Sequence, residues 1–484
     1  MNKRWLIAGS LLLTALAITI GGLVSNWNRE REARIQQTFF DLLAADAAVG
    51  LAALDAVAET DDPRFLGPLI DLYWASQINL LSWPDPAEIL ETLNQIADEE
   101  AGEEVGNEWA DWVAWYSRSD IEPPENYRQW KGALLGELTA DFEAFFIEPV
   151  AEGFRLEEVV WGGVAKDGIP ALDYLEQIPI LEGDYTPRDA IFGVSISGDS
   201  RAYPLRVMDW HEMANDFIGD TPVAIAYCTL CGSAIAFKSE LPDGTVLDFG
   251  SSGLLYRSNK LMYDRQTNTL WNQLTGEPVM GPLVGQVDHL ERLPIVISTV
   301  GEWAERHPDA TILPLETGHF RDYTAGAAYG EYFYSDDLRF PAALIDDRLP
   351  AKAQVFSVIV DDIPKAYPVD RLSQQPLIND LIGTQPLVLI NFSRDINVYG
   401  YSYELEYITY RAGVETRAYE RGDESFIELN LETNELVSAT GEAWQIEEER
   451  LIGPNGEELK RVSGSIVYWF GWQSFYQNSE LYEN

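Results

Sequence analysis

The chain has 484 residues but only two cysteines, Cys228 and Cys231, and only four histidines. That scarcity excludes a disulfide-rich scaffold and a closed four-thiolate metal site within one molecule. Basic side chains are also short: 33 Lys and Arg stand against 79 Asp and Glu, for a formal net charge of −46. With so little positive charge to neutralise phosphates, a nucleic-acid partner is excluded. A P-loop, a dinucleotide fingerprint, a nucleophile elbow and a His-Glu-x-x-His helix are all missing, so none of these motifs points to a chemistry. What is present is ample core material, 46% apolar with 12% aromatic residues, which at this length implies two or three domains.

One long hydrophobic run stands out. Lys3-Arg4 is followed by an uncharged stretch from Trp5 to Val24, about twenty residues, enough to cross a bilayer as a helix. Ala15-Leu16-Ala17 fits a cleavage pattern but lies inside the run, so residues 1–29 are expected to be an uncleaved membrane anchor. A four-residue head stays in the cytoplasm and places the body outside, in an oxidising compartment.

After the anchor, apolar residues fall at helical spacing: Leu51, Leu54, Val57 and Ala58, then Leu66, Leu69, Ile70 and Tyr73, then Ile89, Leu90, Leu93, Ile96 and Ala97. Asp62-Pro63 and Asp85-Pro86 supply a capping carboxylate and a proline at the first helical position. Residues 30–150 are therefore expected to form an all-α, HEAT-like helical module, a surface for a protein partner.

From about residue 155 the pattern turns to short β-type runs, and an internal repeat appears. At a shift of 164 residues, Arg201-Ala-Tyr-Pro falls on Lys365-Ala-Tyr-Pro, Asn215-Asp216 on Asn379-Asp380, and Pro222-Val-Ala-Ile on Pro386-Leu-Val-Leu. This predicts a duplicated β-rich domain, with a first unit at 155–345 and a degenerate second at 346–476; the fold class is α+β overall. Residues matched in both copies, such as Tyr203, Asn215 and Asp216, are explained by turns and packing. His211, Cys228 and Cys231 meet Gln375, Phe392 and Asp395, so the first copy alone carries them.

Val223-Ala-Ile-Ala-Tyr227 and Ser233-Ala-Ile-Ala-Phe237 read as strands, which puts the cysteines in a tight turn where Gly232 permits positive φ. This differs from the thioredoxin arrangement, in which Cys-x-x-Cys opens a helix. Two thiolates and the His211 imidazole make a three-ligand set with one open position, suited to a transition metal such as zinc, copper or iron. That reading predicts a metal-dependent enzyme, oxidoreductase-like, of unknown substrate. Two alternatives stay open: a non-catalytic binding or scaffold protein with a structural Cys228–Cys231 disulfide, and a thiol-disulfide redox protein. His289 and His307 read as surface turns.

Taken in order, Gly168-Ile-Pro-Ala-Leu, Arg201-Ala-Tyr-Pro, Trp210-His-Glu, Tyr227-Cys-Thr-Leu-Cys-Gly232, Gly250-Ser-Ser-Gly-Leu-Leu-Tyr256 and Met262-Tyr-Asp-Arg-Gln-Thr267 resemble the blocks of the domain of unknown function 3179 family, over roughly residues 155–475. The resemblance implies an exported or membrane-tethered bacterial or archaeal protein and assigns no activity. Within those blocks Asp264 and Arg265 become candidate catalytic residues at the rim of the same site, Asp264 as a base or an orienting group and Arg265 as an anion binder.

Overall fold

The computed structural model describes residues 29–81, 83–101, 105–342, 346–392, 395–402 and 406–483. It divides after Glu143 into two compact units. In the first, residues 29–41 are helical and are followed by α1 (Ala47–Thr60), α2 (Leu66–Gln77), α3 (Pro86–Ala101), α4 (Trp109–Tyr116) and α5 (Tyr127–Gly136). Local chemistry sets the starts. Asp46 accepts the Ala48 N–H to cap α1, and Asp85 does the same for Ala87 ahead of α3.

The HEAT-like expectation is corrected here. Asp62-Pro63 opens a short 3-10 turn rather than a repeat helix. More telling, α2 buries Leu66, Leu69, Ile70, Leu72, Tyr73 and even Asp71, with α3 and α4 packed on it. A solenoid helix keeps one face outward, whereas a helix buried nearly all round is the hub of a globular cluster. At that hub Asp71 accepts from the Tyr127 hydroxyl and lies 3.1 Å from Lys131 Nζ, so a buried charge is paired. The apolar stripes marked helices correctly but carried no information about their mutual packing. The expected transmembrane anchor at 1–29 falls, but for its last residue, outside the described residues; among those described, no helix is long and apolar enough to cross a membrane. The α+β class with an anchor helix and a HEAT-like module is thus replaced by a small helical cluster and a larger β-rich unit.

The second unit contains the repeat. The first copy runs β1 (Ala190–Ile196), β2 (Asp199–Pro204), α6 (Leu205–His211), β3 (Met213–Ile218) and β4 (Thr221–Cys228). It continues through β5 (Ser233–Lys238), β6 (Phe249–Tyr256), β7 (Asn259–Asp264), β8 (Leu270–Asn272), β9 (Val296–Thr299), α7 (Val300–Arg306), β10 (Thr311–Ile312) and α8 (Gly330–Tyr334). The second copy runs β11 (Gln354–Val360), β12 (Ile363–Pro368), α9 (Val369–Leu372), β13 (Leu377–Ile382) and β14 (Gln385–Asn391), and closes with β15 (Gly464–Tyr468), α10 (Trp469–Gln473) and β16 (Glu480–Leu481). The first five elements of each copy start 164 residues apart, as in 354 − 190 = 164 and 385 − 221 = 164.

The pairing repeats as well. β9 lies antiparallel to β1 and β10 parallel to β2; β15 lies antiparallel to β11 and β16 parallel to β12. Side chains matched between copies do matched work. The Tyr203 hydroxyl donates to Asp216 at 2.8 Å and the Tyr367 hydroxyl to Asp380 at 2.7 Å. Asn215 exchanges two hydrogen bonds with the Phe249 backbone, and Asn379 does so with Phe426. Both copies lie within one compact unit and share one hydrophobic core that includes Phe192, Tyr227, Phe356 and Leu389.

Each Tyr–Asp bond ties a hairpin to the next strand, so Tyr203→Phe and Tyr367→Phe are each expected to cost about 1.5–3 kcal/mol, the range for a hydrogen bond to a charged group. Urea unfolding of the two single variants and the double variant checks this, and the losses should add because the sites share no partner.

Candidate functional site

Cys228 ends β4 and pairs with Ser233, the first residue of β5. The intervening turn, Thr229 to Gly232, needs the left-handed φ of +58° that Gly232 supplies. Both cysteines are free and buried. Three neighbours fix the turn. The Tyr332 hydroxyl, on α8, donates to the Leu230 carbonyl at 2.7 Å, and the Tyr468 N–H donates to the Cys231 carbonyl at 2.8 Å. Gly471, on α10, comes so near that a Cβ there would sit 3.1 Å from Cys231 Cβ and 3.2 Å from its sulfur. The second copy, which lacks the cysteines, therefore packs against the first copy's cysteine turn.

The two thiols differ. Asn259 Nδ2 donates to Cys231 Sγ at 3.4 Å, and the Cys231 thiol lies 3.4 Å from the Ser258 carbonyl, presented by a hairpin turn in which Arg257 and Ser258 both have positive φ. Burial and the adjoining Cys228 push the Cys231 thiol well up. Burial also opposes ionisation of Cys228, but hydrogen bonds from the Cys231 thiol and from the backbone of Lys260 and Cys231 outweigh it and draw its thiol down. Of the two thiols, Cys228 is therefore the one whose ionisation its surroundings favour.

Beside the thiols lies a buried ion pair. Glu212, directly after α6 with φ +55°, accepts from Thr229 Oγ1 at 2.9 Å and from the Tyr329 hydroxyl at 3.4 Å. Lys260 Nζ donates to the Glu212 backbone carbonyl at 2.7 Å and lies 3.7 Å from the Glu212 carboxylate. Burial draws the Lys260 ammonium down, while Glu212 and Cys228 act against that shift. Glu212 and Lys260 line a cavity of about 320 Å³ whose wall also includes Leu230, Tyr329 and Arg339. Leu230 lies between the two cysteines in the chain, so the cavity abuts the dithiol turn.

The expected Cys2His metal centre is not formed. His211 is buried with its Nδ1 2.8 Å from the Pro170 carbonyl and its Nε2 2.6 Å from the Tyr323 hydroxyl, so both ring nitrogens are engaged. Its ring lies beside His319, at 5.1 Å between centroids. Among the described residues no group of three or more His, Cys, Asp or Glu side chains is placed to hold a metal ion. Asp264 accepts from Thr267 N–H, Thr267 Oγ1 and Trp271 Nε1, so its carboxylate closes its own turn and pins a buried tryptophan. Arg265 pairs with Asp173 at 2.6 Å near the surface. Neither lines the cavity beside the thiols.

Glu212, Lys260, Tyr329 and Arg339 were not singled out from the sequence. One signal was present for Glu212: at the 164-residue shift it meets Pro376, so the first copy alone carries it, as with the cysteines. Lys260 lies between two conspicuous blocks and had no such mark.

A family model described as "Protein of unknown function (DUF3179)" matches residues 166–479, well over half of the chain. No curated protein and no solved structure matches it.

Burial draws the His211 imidazole down to about 4, from an ordinary value near 6.5. The sign follows from linkage: below pH 6.5 the unfolded chain binds a proton that the folded state refuses until about pH 4, so stability falls as pH drops through that window. The expected loss is on the order of 2 kcal/mol. Denaturant midpoints of the protein and of His211→Gln, measured at pH 7 and pH 4.5, should show a larger drop for the unsubstituted chain.

Proposed function

The chain belongs to the DUF3179 family, whose description assigns no chemistry, and from the site alone we propose that Cys228 and Cys231 form a dithiol redox centre. The observation that carries this reading is the unequal pair: a thiol favoured as thiolate, next to one that keeps its proton, beside a cavity lined by Glu212 and Lys260. In this scheme the Cys228 thiolate attacks one sulfur of a small disulfide, forming a mixed disulfide and expelling the other sulfur as a thiolate. Cys231 then loses its proton and attacks the Cys228 sulfur, closing the protein disulfide and releasing the second thiolate. The substrate gains two electrons and the protein loses two; the Cys231 proton and one proton from solvent go to the two departing thiols.

Lys260 and Glu212 are assigned a positioning role at the cavity wall, where the Arg339 guanidinium favours a substrate bearing a carboxylate. The cavity volume limits that substrate to a small molecule.

The test is a thiol count by Ellman's reagent under denaturing conditions, before and after the native protein is equilibrated with oxidised glutathione. The expected result is two free thiols falling to none, with an intact-mass loss of two hydrogens, reversed by dithiothreitol and abolished in Cys228→Ser. Thiols that stay reduced in the native protein and react only after unfolding would sink the redox reading and leave a structural turn.

A further inference from the structure

Both cysteines are shut away: Cys228 is 1% exposed and Cys231 0%. No reagent reaches either sulfur until part of the cover moves. Three segments supply that cover, and they are held with unequal strength. The corner of β15 and α10 is fixed by the antiparallel ladder between β15 and β11 and by Trp469 and Trp472, both fully buried. The Arg257–Ser258 turn is fixed by the ladder between β6 and β7, and Ser258, Asn259 and Lys260 are buried. Moving either would break sheet hydrogen bonds and expose core.

The third cover, Tyr329–Phe340, consists of Tyr329, the five residues of α8 and an irregular stretch after it. It makes no strand pairing among the described residues, and Glu331, Tyr334, Asp336, Asp337 and Arg339 are exposed. Side chains hold it down. The Tyr332 hydroxyl donates to the Leu230 carbonyl, inside the dithiol turn, at 2.7 Å, and the Tyr329 hydroxyl to Glu212 at 3.4 Å. Lys352 Nζ lies 3.7 Å from the centre of the Tyr332 ring and donates to the Tyr332 and Ser335 carbonyls, the latter at 2.6 Å. Phe333 stacks on Tyr410, in the hairpin of Ile396–Tyr401 and Tyr407–Gly413, a two-stranded sheet that joins no other among the described residues. A segment with exposed backbone and a few side-chain ties opens at a lower free energy than one built into a sheet. Tyr329, Arg339 and Phe340 also line the cavity of about 320 Å³ shared with Glu212 and Lys260, so displacing the segment joins that cavity to the turn.

We propose that Tyr329–Phe340 is a lid over the dithiol, latched by Tyr332 and Lys352, and that its local opening is the step that admits reagents to Cys228. The lid follows from the cover and its attachments. Only its use, letting a disulfide meet the thiolate, rests on the redox reading above.

The test is the rate at which N-ethylmaleimide labels the native full chain at neutral pH, read by intact mass, in the unsubstituted protein and in Tyr332→Phe, Lys352→Met and Tyr203→Phe. Losing one latch hydrogen bond should raise the rate about threefold to tenfold in Tyr332→Phe, and Lys352→Met should raise it as well. Tyr203→Phe lowers global stability without touching the lid, so its rate should match that of the unsubstituted protein. Urea below the unfolding transition should leave the rate nearly unchanged, because a lid exposes little surface when it opens. The lid is overturned if neither latch variant labels faster, or if Tyr203→Phe accelerates labelling as much as they do, which would make global unfolding the route. Oxidised glutathione added to the same four proteins separates the two proposals: latch variants that label fast yet are never oxidised keep the lid and remove the redox reading.

Discussion

The dithiol turn depends on the corner between β15 and α10 pressing on it. The Tyr468 N–H holds the Cys231 carbonyl, and Gly471 packs so closely that a methyl group there would press on the Cys231 side chain at 3.1–3.2 Å. A turn of four residues cannot bury two thiols by itself, since its own strands cover one side at most. Part of the cover comes from Ser258, Asn259 and Tyr332 of the first copy, and the rest from the second copy. Duplication therefore has a physical consequence beyond added mass: the copy without chemistry forms part of the wall that desolvates the copy with it.

Desolvation in turn explains why the neighbouring groups are so fully engaged. A buried carboxylate and a buried ammonium each lose several kcal/mol of hydration, and their mutual attraction offsets this only when the remaining donors and acceptors are filled. Glu212 has Thr229, Tyr329 and Lys260; Lys260 has the Glu212 carbonyl as well as the carboxylate. The asymmetry of the thiols has the same origin. In a poorly solvated site one thiolate can be stabilised by nearby N–H and S–H donors, but a second negative charge beside it cannot.

The matched corners of the two copies were legible in the sequence because a repeat encodes its own control. Arg201-Ala-Tyr-Pro and Lys365-Ala-Tyr-Pro mark equivalent corners, and Tyr203 and Tyr367 reach equivalent aspartates. Packing partners distant in sequence were not legible. The stripe on α2 showed a helix but not that the helix is a hub, so a stacked module was expected where a cluster forms. His211 was paired with the cysteines because all three vanish together in the second copy, yet co-occurrence gives no distance, and Pro170 and Tyr323 hold the ring instead. Asp264 sits in a conspicuous block because it closes a turn and anchors Trp271. His307, expected in a surface turn, does open the turn closed by the Ala310 N–H, and its half-buried ring also lies 3.2 Å from Ser200 and 3.4 Å from Glu448.

That last contact belongs to a network that shows how the chain uses its few cations. Arg417, 1% exposed, lies 2.6 Å from Glu415 and 2.7 Å from Glu448; Arg461 pairs with Glu448, and Arg306, from the first copy, with Glu415. Ser298, also from the first copy, donates to Glu415. The copies are thus joined by buried ionic contacts as well as by the shared core. Lys131, Lys260 and Lys365 are likewise buried against carboxylates. In a chain with 33 basic and 79 acidic side chains, pairing these few cations with carboxylates inside still leaves a strongly acidic surface. Mutual repulsion on that surface opposes compaction. The interior pairs work in the other direction, because removing either partner would strand a buried charge. They also restrict register, since Glu415 is paired by Arg306 and Ser298 of the first copy as well as Arg417 of the second. The geometry that covers the thiols and the geometry that satisfies these charges are therefore the same docking of one copy on the other.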